Sequence, residues 1–424
     1  MSDETSRDQG RTEEENILRE RYHRQIAAIT RATWPPTEIA RRLRQEVVGQ
    51  DEAITMLAGV LHRHLLTLRA ECDRPAIPPP SCKTPCLLIG DSGVGKTKLV
   101  TEVAKLTSLP AVIADTSQLT EAGFVGSSVD DYCAELIEKS NMSLWLSARG
   151  LVYADELDKC RIQPTLTRDV SGGGAQDSLL KLCDASGEIY CHGVTNGPQT
   201  SKRYVGPFEV GRLMVIAGGA FGGHGGLSLY DIIARRLQGR RSIGFGTAAP
   251  QGLDDAQRRA GVLERVSADD LVAYGMKVEL VSRLATICVL RPLTAEQMMR
   301  ILAVVPGGPV RTTRRLCELM GFEIRLTRPL LSTIVDEAMS AGLGARALAG
   351  ITERACRRAL YEVPQRIRGT RTQKAIVTLG VGALRDGEYR LEWRASRRSE
   401  KTPRRLIGGD DAAGEADESG TNAG

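Results

Sequence analysis

Short runs of apolar residues alternate with longer stretches of helical character through the first two thirds of the chain. Four of these runs are nearly continuous, which predicts strands that are buried on both faces. Strands of this kind, separated by helices, are typical of a parallel sheet that carries helices on each side. The four predicted strands are 86–89, 111–113, 150–154 and 213–217.

The segments on either side of this region are mainly helical in pattern. Residues 37–69 indicate two helices interrupted at 47–50, with Thr37 and Asp51 as the expected N-caps. After Leu293, Thr294 and Gln297 form a predicted capping box ahead of an amphipathic helix. Further predicted elements are helices at 329–339 and 345–361 and a strand pair at 375–379 and 389–393.

These patterns predict an α/β protein in which a domain with a parallel sheet is followed by a smaller, mainly helical domain. Trp34 and the two prolines after it mark the end of a polar N-terminal arm. The last residues are basic, then acidic and rich in glycine and alanine, which is typical of disorder. The expected parts are an arm at 1–33, a large domain at 34–292, a small domain at 293–394 and a tail at 395–424.

The loop after the first predicted strand has the phosphate-binding pattern Gly-x4-Gly-Lys-Thr. Its glycines lack a Cβ atom, so the backbone N–H groups can surround a phosphate, and the following helix adds its positive dipole end. The lysine can reach the β- and γ-phosphates, and the threonine hydroxyl can bind Mg²⁺. The predicted ATP-binding residues of this segment are Gly90, Asp91, Ser92, Gly93, Val94, Gly95, Lys96, Thr97, Lys98 and Leu99.

A second phosphate-site signal is the apolar strand that ends in Asp155 and Glu156. The end of a parallel strand places both carboxylates at the sheet edge beside the phosphate loop. Asp155 is therefore a predicted Mg²⁺ ligand together with Thr97. Glu156 is the predicted catalytic base, which orients the attacking water and accepts its proton.

The composition and charge of the chain disfavour nucleic-acid-binding and membrane-spanning classes of protein. The chain has 424 residues, 42% of them hydrophobic and 26% charged, which is ordinary for a globular protein. Its net charge of +5 is small for this length and does not favour nucleic acid as a partner. No apolar run approaches the length of a membrane span, and the N-terminus is charged rather than a signal peptide.

The ten cysteines are scattered and do not form a zinc-binding pattern. Cys72, Cys82 and Cys86 are the closest group, and their spacing fits no usual zinc site. Unpaired cysteines in a chain that uses ATP predict a reducing environment, so we expect the protein in the cytoplasm.

Three glycine-rich loops remain, at 120–126, 167–174 and 240–247. The first and third each carry an apolar tip. Taken alone, such a tip is better explained by burial against the core than by docking of another protein.

Taken together, these motifs resemble, in their order along the chain, the ClpX-type protein unfoldases of the AAA+ ATPases, over about residues 34–393. The resemblance implies a P-loop AAA+ large domain followed by a small domain. It implies adenine contacts at Val48 and a nucleotide-sensing role for Arg346. Arg283 is implied to be an arginine finger that acts on the neighbouring subunit. Lys96 and Glu156 are the other implied catalytic residues. It also assigns substrate-gripping pore positions to Phe124, Val125, Arg168 and Val170, and docking on the ClpP peptidase to Ile243, Gly244 and Phe245.

The same resemblance implies a function and a set of partners. The expected activity is ATP-dependent unfolding of protein substrates, with Mg²⁺ as cofactor and without protease activity of its own. The expected assembly is a homohexamer, or a ring mixed with a related unfoldase, on a ClpP-type peptidase. The family's N-terminal zinc module has four cysteines, whereas residues 1–33 contain none, so no zinc is expected.

Three alternative functions remain open from the sequence. The motor could remodel protein complexes without a peptidase, and the tripeptide at 243–245 would then be vestigial. An AAA+ DNA motor is disfavoured because channels that track nucleic acid need basic residues. A degenerate regulatory subunit is disfavoured by the retained Lys96, Asp155, Glu156, Arg283 and Arg346.

Overall fold

A computed structural model describes residues 34–73, 83–119, 128–162, 170–192, 205–223, 226–240, 255–284, 286–367 and 373–395. The predicted parallel sheet is confirmed, and it has five strands in the order β2-β3-β6-β1-β7. Its strands are β1 (Cys86–Ile89), β2 (Ala111–Asp115), β3 (Leu151–Asp155), β6 (Met214–Gly219) and β7 (Thr286–Val289).

The sheet is covered on both faces, as continuous apolar strands require. Leu87 and Ile89 of β1 belong to one hydrophobic cluster, and Cys86 and Leu88 belong to another. Successive side chains of a strand point to opposite faces, which explains this alternation. One face is covered mainly by α1 (Pro36–Glu46), α2 (Asp51–Asp73) and α3 (Lys96–Thr107), and the other mainly by α4 (Val129–Lys139), α6 (Val170–Cys183) and α7 (Leu229–Arg240).

The remaining elements of this region connect the strands. They are α5 (Leu144–Ser147), the antiparallel pair β4 (Glu188–His192) and β5 (Val205–Glu209), and the helices α8 (Asp255–Leu263), α9 (Ala268–Tyr274) and α10 (Val278–Arg283). The prediction that Thr37 caps the first helix is wrong. Pro36 is the first helical residue, where its missing N–H costs nothing, and Pro35 is the N-cap.

Residues after β7 form helices around a second, three-stranded sheet with its own hydrophobic cluster. The predicted capping box is present, with Gln297 N donating to Thr294 Oγ1 at 3.2 Å and Thr294 N donating to Gln297 Oε1 at 2.9 Å. The elements are α11 (Ala295–Ala303), α12 (Pro309–Leu319), β8 (Phe322–Leu326), α13 (Arg328–Ser340), α14 (Arg346–Arg366), β9 (Gln373–Leu379), α15 (Gly382–Arg385) and β10 (Tyr389–Ala395).

The prediction of a flexible loop at 167–174 is wrong for its second half, because α6 already begins at Val170. Gly172 shows why a glycine-rich segment is helical here. A Cβ atom at this position would lie 2.9 Å from the carbonyl oxygen of Arg161 and 3.1 Å from that of Cys160. The glycine lets the helix pack directly against the backbone that follows β3.

Within the part of the chain that the structure describes, no helix combines the length and the apolar character needed to cross a bilayer.

Candidate nucleotide-binding site

The phosphate loop connects β1 to α3 and is shaped by two glycines in the left-handed region. Gly93 has φ +82° and Gly95 has φ +106°, and α3 begins at the next residue, Lys96. A Cβ atom on Gly93 would lie 2.2 Å from the carbonyl oxygen of Leu343. Glycine is therefore required at position 93 both by the backbone conformation and by a close approach from the C-terminal region.

Lys96 lies folded over this loop. Its Nζ donates to the carbonyl oxygen of Gly90 at 2.5 Å and to that of Asp91 at 3.1 Å. Burial lowers the pKa of Lys96, and the negative charge of Asp155 partly opposes that shift. A phosphate in the loop would favour the charged form further, since an opposite charge nearby stabilises it.

Asp155 ends β3, and it is held by several donors at the edge of the sheet. Thr97 Oγ1 donates to Asp155 Oδ2 at 2.7 Å, and Tyr153 OH donates to Oδ1 at 3.0 Å. Burial and the neighbouring Asp155 raise the pKa of Tyr153, so its phenol stays a donor. The hydroxyl and the carboxylate thus converge as oxygen ligands of the type that Mg²⁺ prefers.

Glu156 follows directly and has an unusual backbone conformation. Its φ of +61° lies in the left-handed region, which non-glycine residues rarely adopt. Its backbone N donates to Asp155 Oδ1 at 3.0 Å, and its carboxylate forms an ion pair with Lys159. Such strained conformations cluster at functional sites, because the surrounding structure must impose them.

These residues open onto one cavity of about 420 Å³. Nine of the residues predicted from the sequence line it: Ser92, Gly93, Gly95, Lys96, Thr97, Lys98, Asp155, Glu156 and Arg346. The other predicted ATP-binding residues are not among the residues that line it. Val48, Val94 and Leu99 are buried, Gly90 packs against Leu290, and Asp91 is exposed.

Six lining residues were not predicted: Asp158, Lys159, Gly219, Ala220, Gly222 and Ala345. Asp158 Oδ1 accepts from the backbone N of Ala220 at 3.1 Å, which joins the segment after β3 to the end of β6. A Cβ atom on Gly219 would lie 2.5 Å from that same oxygen. Gly219, at the end of β6, therefore makes room for the side chain of Asp158. It was not predicted because a glycine carries no polar side chain.

Arg346 reaches the phosphate loop from the start of α14. Its Nη1 donates to Ser92 Oγ at 2.9 Å, and the backbone N of Ala345 donates to the carbonyl oxygen of Gly93 at 3.2 Å. The C-terminal region therefore contacts the loop through both side chain and backbone.

Gln50 makes a second link between these regions, and it was not among the predicted site residues. Its side chain is 3% exposed, and Nε2 donates to the carbonyl oxygens of Val94 at 3.0 Å and Arg291 at 2.8 Å. Its Oε1 accepts from the backbone N of Arg291 at 3.1 Å. The segment that leaves β7 is therefore tied to the phosphate loop.

Arg283 lies at the end of α10 and is not among the residues that line the cavity. Its side chain is 51% exposed and pairs with Asp184 Oδ1 at 3.1 Å. The structure thus does not bring Arg283 to the phosphate loop of its own chain.

The remaining predicted positions fall mostly outside the described residues. Phe124, Val125 and Arg168 lie there, as do Ile243, Gly244 and Phe245. Val170 is the first residue of α6.

The comparisons with known proteins agree with this geometry. A family model described as ATPase family associated with various cellular activities (AAA) matches residues 86–205, which include the phosphate loop and the Asp155–Glu156 pair. Two relatives, from two strains of Porphyromonas gingivalis, are each named ATP-dependent Clp protease ATP-binding subunit ClpX. Each is 29% identical to this chain over 332 residues, which is 78% of both chains.

The AAA match implies nucleotide binding and ATPase activity for the region around the cavity. Together with the relatives and the phosphate-loop geometry, it supports a ClpX-type AAA+ protein.

Proposed function

We propose that this protein is an ATP-driven protein unfoldase that passes unfolded polypeptide to a ClpP-type peptidase. The observation that carries the proposal is the direct contact between the C-terminal region and the phosphate loop. Two hydrogen bonds form this contact, from Arg346 to Ser92 and from the backbone of Ala345 to that of Gly93. A ligand bound at that contact touches both regions, so hydrolysis can change how they are arranged.

The roles at the site follow from what each side chain can offer to MgATP. The backbone of the loop at 90–97 cradles the phosphates, Lys96 neutralises their charge, and Val48 lies on the adenine side. Thr97 and Asp155 would hold Mg²⁺, which neutralises charge that develops on the phosphates. Glu156 takes the proton of the attacking water, after its carboxylate leaves Lys159.

Mechanical work requires two bodies, and we propose a large domain at 34–292 and a small domain at 293–394. The separate hydrophobic cluster that begins at Leu293 supports this division. Arg346 reports the state of the nucleotide to the small domain, and Gln50 ties the connecting segment to the phosphate loop.

We further propose that six copies of the chain form a ring, alone or mixed with a related unfoldase, in the cytoplasm. Arg283 then completes the site of the neighbouring subunit, which explains its position outside its own cavity. Phe124 and Val125, with Arg168 and Val170, grip the substrate in the axial channel. Repeated pulling is sufficient for unfolding because a typical domain is stable by only about 5–15 kcal/mol.

The decisive experiment is ATP-dependent degradation of a tagged fluorescent protein by the purified chain, with and without a ClpP-type peptidase. We expect fluorescence to fall with ATP and peptidase together, and not when either is left out. Phe124→Ala is the matched variant, because it removes the apolar grip and leaves the nucleotide site intact. It is expected to keep ATP hydrolysis within about 3-fold, because Phe124 belongs neither to the phosphate loop nor to the Asp155–Glu156 pair. It is expected to lose unfolding. Undiminished unfolding by Phe124→Ala contradicts the gripping role.

Docking on the peptidase is tested separately by Phe245→Ala. Truncation of a buried aromatic anchor typically costs about 2–4 kcal/mol of binding, or about 30- to 1,000-fold in affinity. We therefore expect the variant to lose co-migration with the peptidase while it retains ATP hydrolysis. Equal co-migration of variant and unsubstituted protein rejects the docking role. If the unsubstituted chain unfolds substrates and shows no affinity for the peptidase, it is a protease-independent remodelling ATPase instead.

A further inference from the structure

Gln176 is a fully buried amide at the meeting point of three separate elements. It lies in α6, and its side chain has 0% exposure. Nε2 donates to the carbonyl oxygen of Cys160 at 2.7 Å and to that of Gly275 at 3.1 Å. Oε1 accepts from the backbone N of Lys277 at 2.7 Å. Both polar atoms of the side chain are therefore used, and each bond leaves α6 for another element.

The first partner belongs to the nucleotide site. Cys160 ends a short 3₁₀ helix, Leu157–Cys160, that begins directly after Glu156. Two residues of that helix, Asp158 and Lys159, line the nucleotide cavity. Any movement of the segment after β3 therefore reaches the carbonyl group that Gln176 holds.

The other two partners belong to the turn that starts α10. Gly275 is the C-cap of α9, and Lys277 is the N-cap of α10, the helix whose last residue is Arg283. Since α10 spans only six residues, Arg283 lies less than two helical turns from the turn at 275–277.

The backbones at this junction are packed too closely to slide past one another. A Cβ atom on Gly275 would lie 2.7 Å from the carbonyl oxygen of Ile162, and the backbone N of Ile162 donates to the Gly275 oxygen at 3.0 Å. A Cβ atom on Gly172 would lie 2.9 Å from the oxygen of Arg161 and 3.1 Å from that of Cys160. A buried donor or acceptor that loses its partner is costly, so these segments are expected to move together.

Two ion pairs outside this core join α6 to the N-cap of α10, and the residue after α6 to the end of α10. Lys277 Nζ pairs with Asp177 Oδ2 at 2.6 Å, and Arg283 pairs with Asp184 Oδ1 at 3.1 Å. Both pairs are partly exposed and are therefore weak by themselves. They keep the two helices in register around the buried amide.

We propose that Gln176 is a positioning residue that transmits the state of the nucleotide site to Arg283, and so to the site of the next subunit. The inference rests on the ring and the arginine finger of the proposed function, and it adds the residue that links the two sites. Gln176 acts through Cys160, Gly275 and Lys277, and it does not itself touch the nucleotide.

The test uses Gln176→Met in the full-length protein. Methionine keeps the length and the burial of the side chain and removes its donors and its acceptor. Coupling free energies between sites usually correspond to about 5- to 150-fold, and we expect kcat for ATP hydrolysis to fall within that range. The Kd of a fluorescent ATP analogue is expected to stay within about 2-fold, since the phosphate loop is unchanged. Gln176→Asn, which keeps a shorter amide, is expected to retain an intermediate kcat.

Leu179→Ala is the matched control for a merely structural role. Leu179 lies one turn further along α6 and is 3% exposed, so its truncation destabilises the same helix without touching the junction. We expect Leu179→Ala to lower the melting temperature at least as much as Gln176→Met and to keep kcat near that of the unsubstituted protein. An equal loss of kcat in both variants shows that Gln176 only supports the fold, and it overturns the inference.

An assay with rings assembled from two kinds of subunit shows whether Gln176 acts on the site of the neighbouring subunit. Subunits with Arg283→Ala hydrolyse ATP only when a neighbour supplies the arginine, and Glu156→Gln subunits can supply it without hydrolysing ATP. Adding Gln176→Met to the Glu156→Gln subunits is expected to reduce the restored activity by at least about 5-fold. Full restoration in that mixture contradicts the inference alone, whereas an unsubstituted chain without ATPase activity contradicts the proposed function as well.

Discussion

Arg283→Ala is expected to lower kcat for ATP hydrolysis by about 10³–10⁵-fold, the range known for an arginine that neutralises charge on a transferring phosphoryl group. The side chain is half exposed, and it is not among the residues that line the cavity of its own chain. ATP affinity measured on isolated subunits should therefore change little. Steady-state hydrolysis at saturating ATP, together with a binding titration, measures both quantities.

The control for that substitution is Arg357→Ala, which removes an exposed arginine of α14 that lies outside the cavity lining. It should keep kcat within about 2-fold, as surface substitutions usually do. Mixing Arg283→Ala subunits with Glu156→Gln subunits should restore part of the activity. Hydrolysis by Arg283→Ala at the unsubstituted rate would show that the finger is another residue.

Glu156→Gln is expected to lower kcat by about 10²–10⁴-fold, the usual contribution of a positioned general base. The amide has nearly the shape of the carboxylate but accepts no proton, so ATP binding should be retained. Single-turnover hydrolysis and binding of a fluorescent ATP analogue separate these two effects.

Glu138→Gln, at an exposed glutamate of α4 outside the cavity lining, is the matched control and should hydrolyse ATP normally. Normal turnover by Glu156→Gln instead would remove Glu156 from the mechanism. Asp158 would then be the next candidate for the catalytic base, because it is the other carboxylate lining the cavity that was not assigned to Mg²⁺.

Most of the parallel sheet could be predicted because its strands are short, nearly continuous runs of apolar residues. Residues 86–89 are continuously apolar, a pattern typical of a strand that is covered on both faces. Four strands, β4, β5, β7 and β8, were missed for local reasons. β7 (Thr286–Val289) and β8 (Phe322–Leu326) each begin only two residues after the end of a helix, so their apolar residues are hard to separate from the helical pattern before them.

The candidate site also contains both residues that could be predicted from the sequence and residues that could not. Gly93, Lys96 and Thr97 could be predicted because one short segment holds all the groups that a phosphate needs. Asp158 was missed because its role depends on the glycine at position 219, some sixty residues away. The helical state of residues 170–174 was also missed, since glycine favours loops unless packing requires its missing Cβ.

The amino-acid sequence by itself therefore determined the glycine loop and the Asp155–Glu156 pair that line the cavity, and four of the five strands of the parallel sheet. These properties depend on the spacing of neighbouring residues, and spacing can be read along a chain. Only the tertiary structure decided that Gln50 joins the phosphate loop to the segment after β7, that Arg346 lies on Ser92, and that Gln176 joins three elements. A buried amide carries no pattern of its own, because its partners are backbone groups that folding brings together from distant parts of the chain.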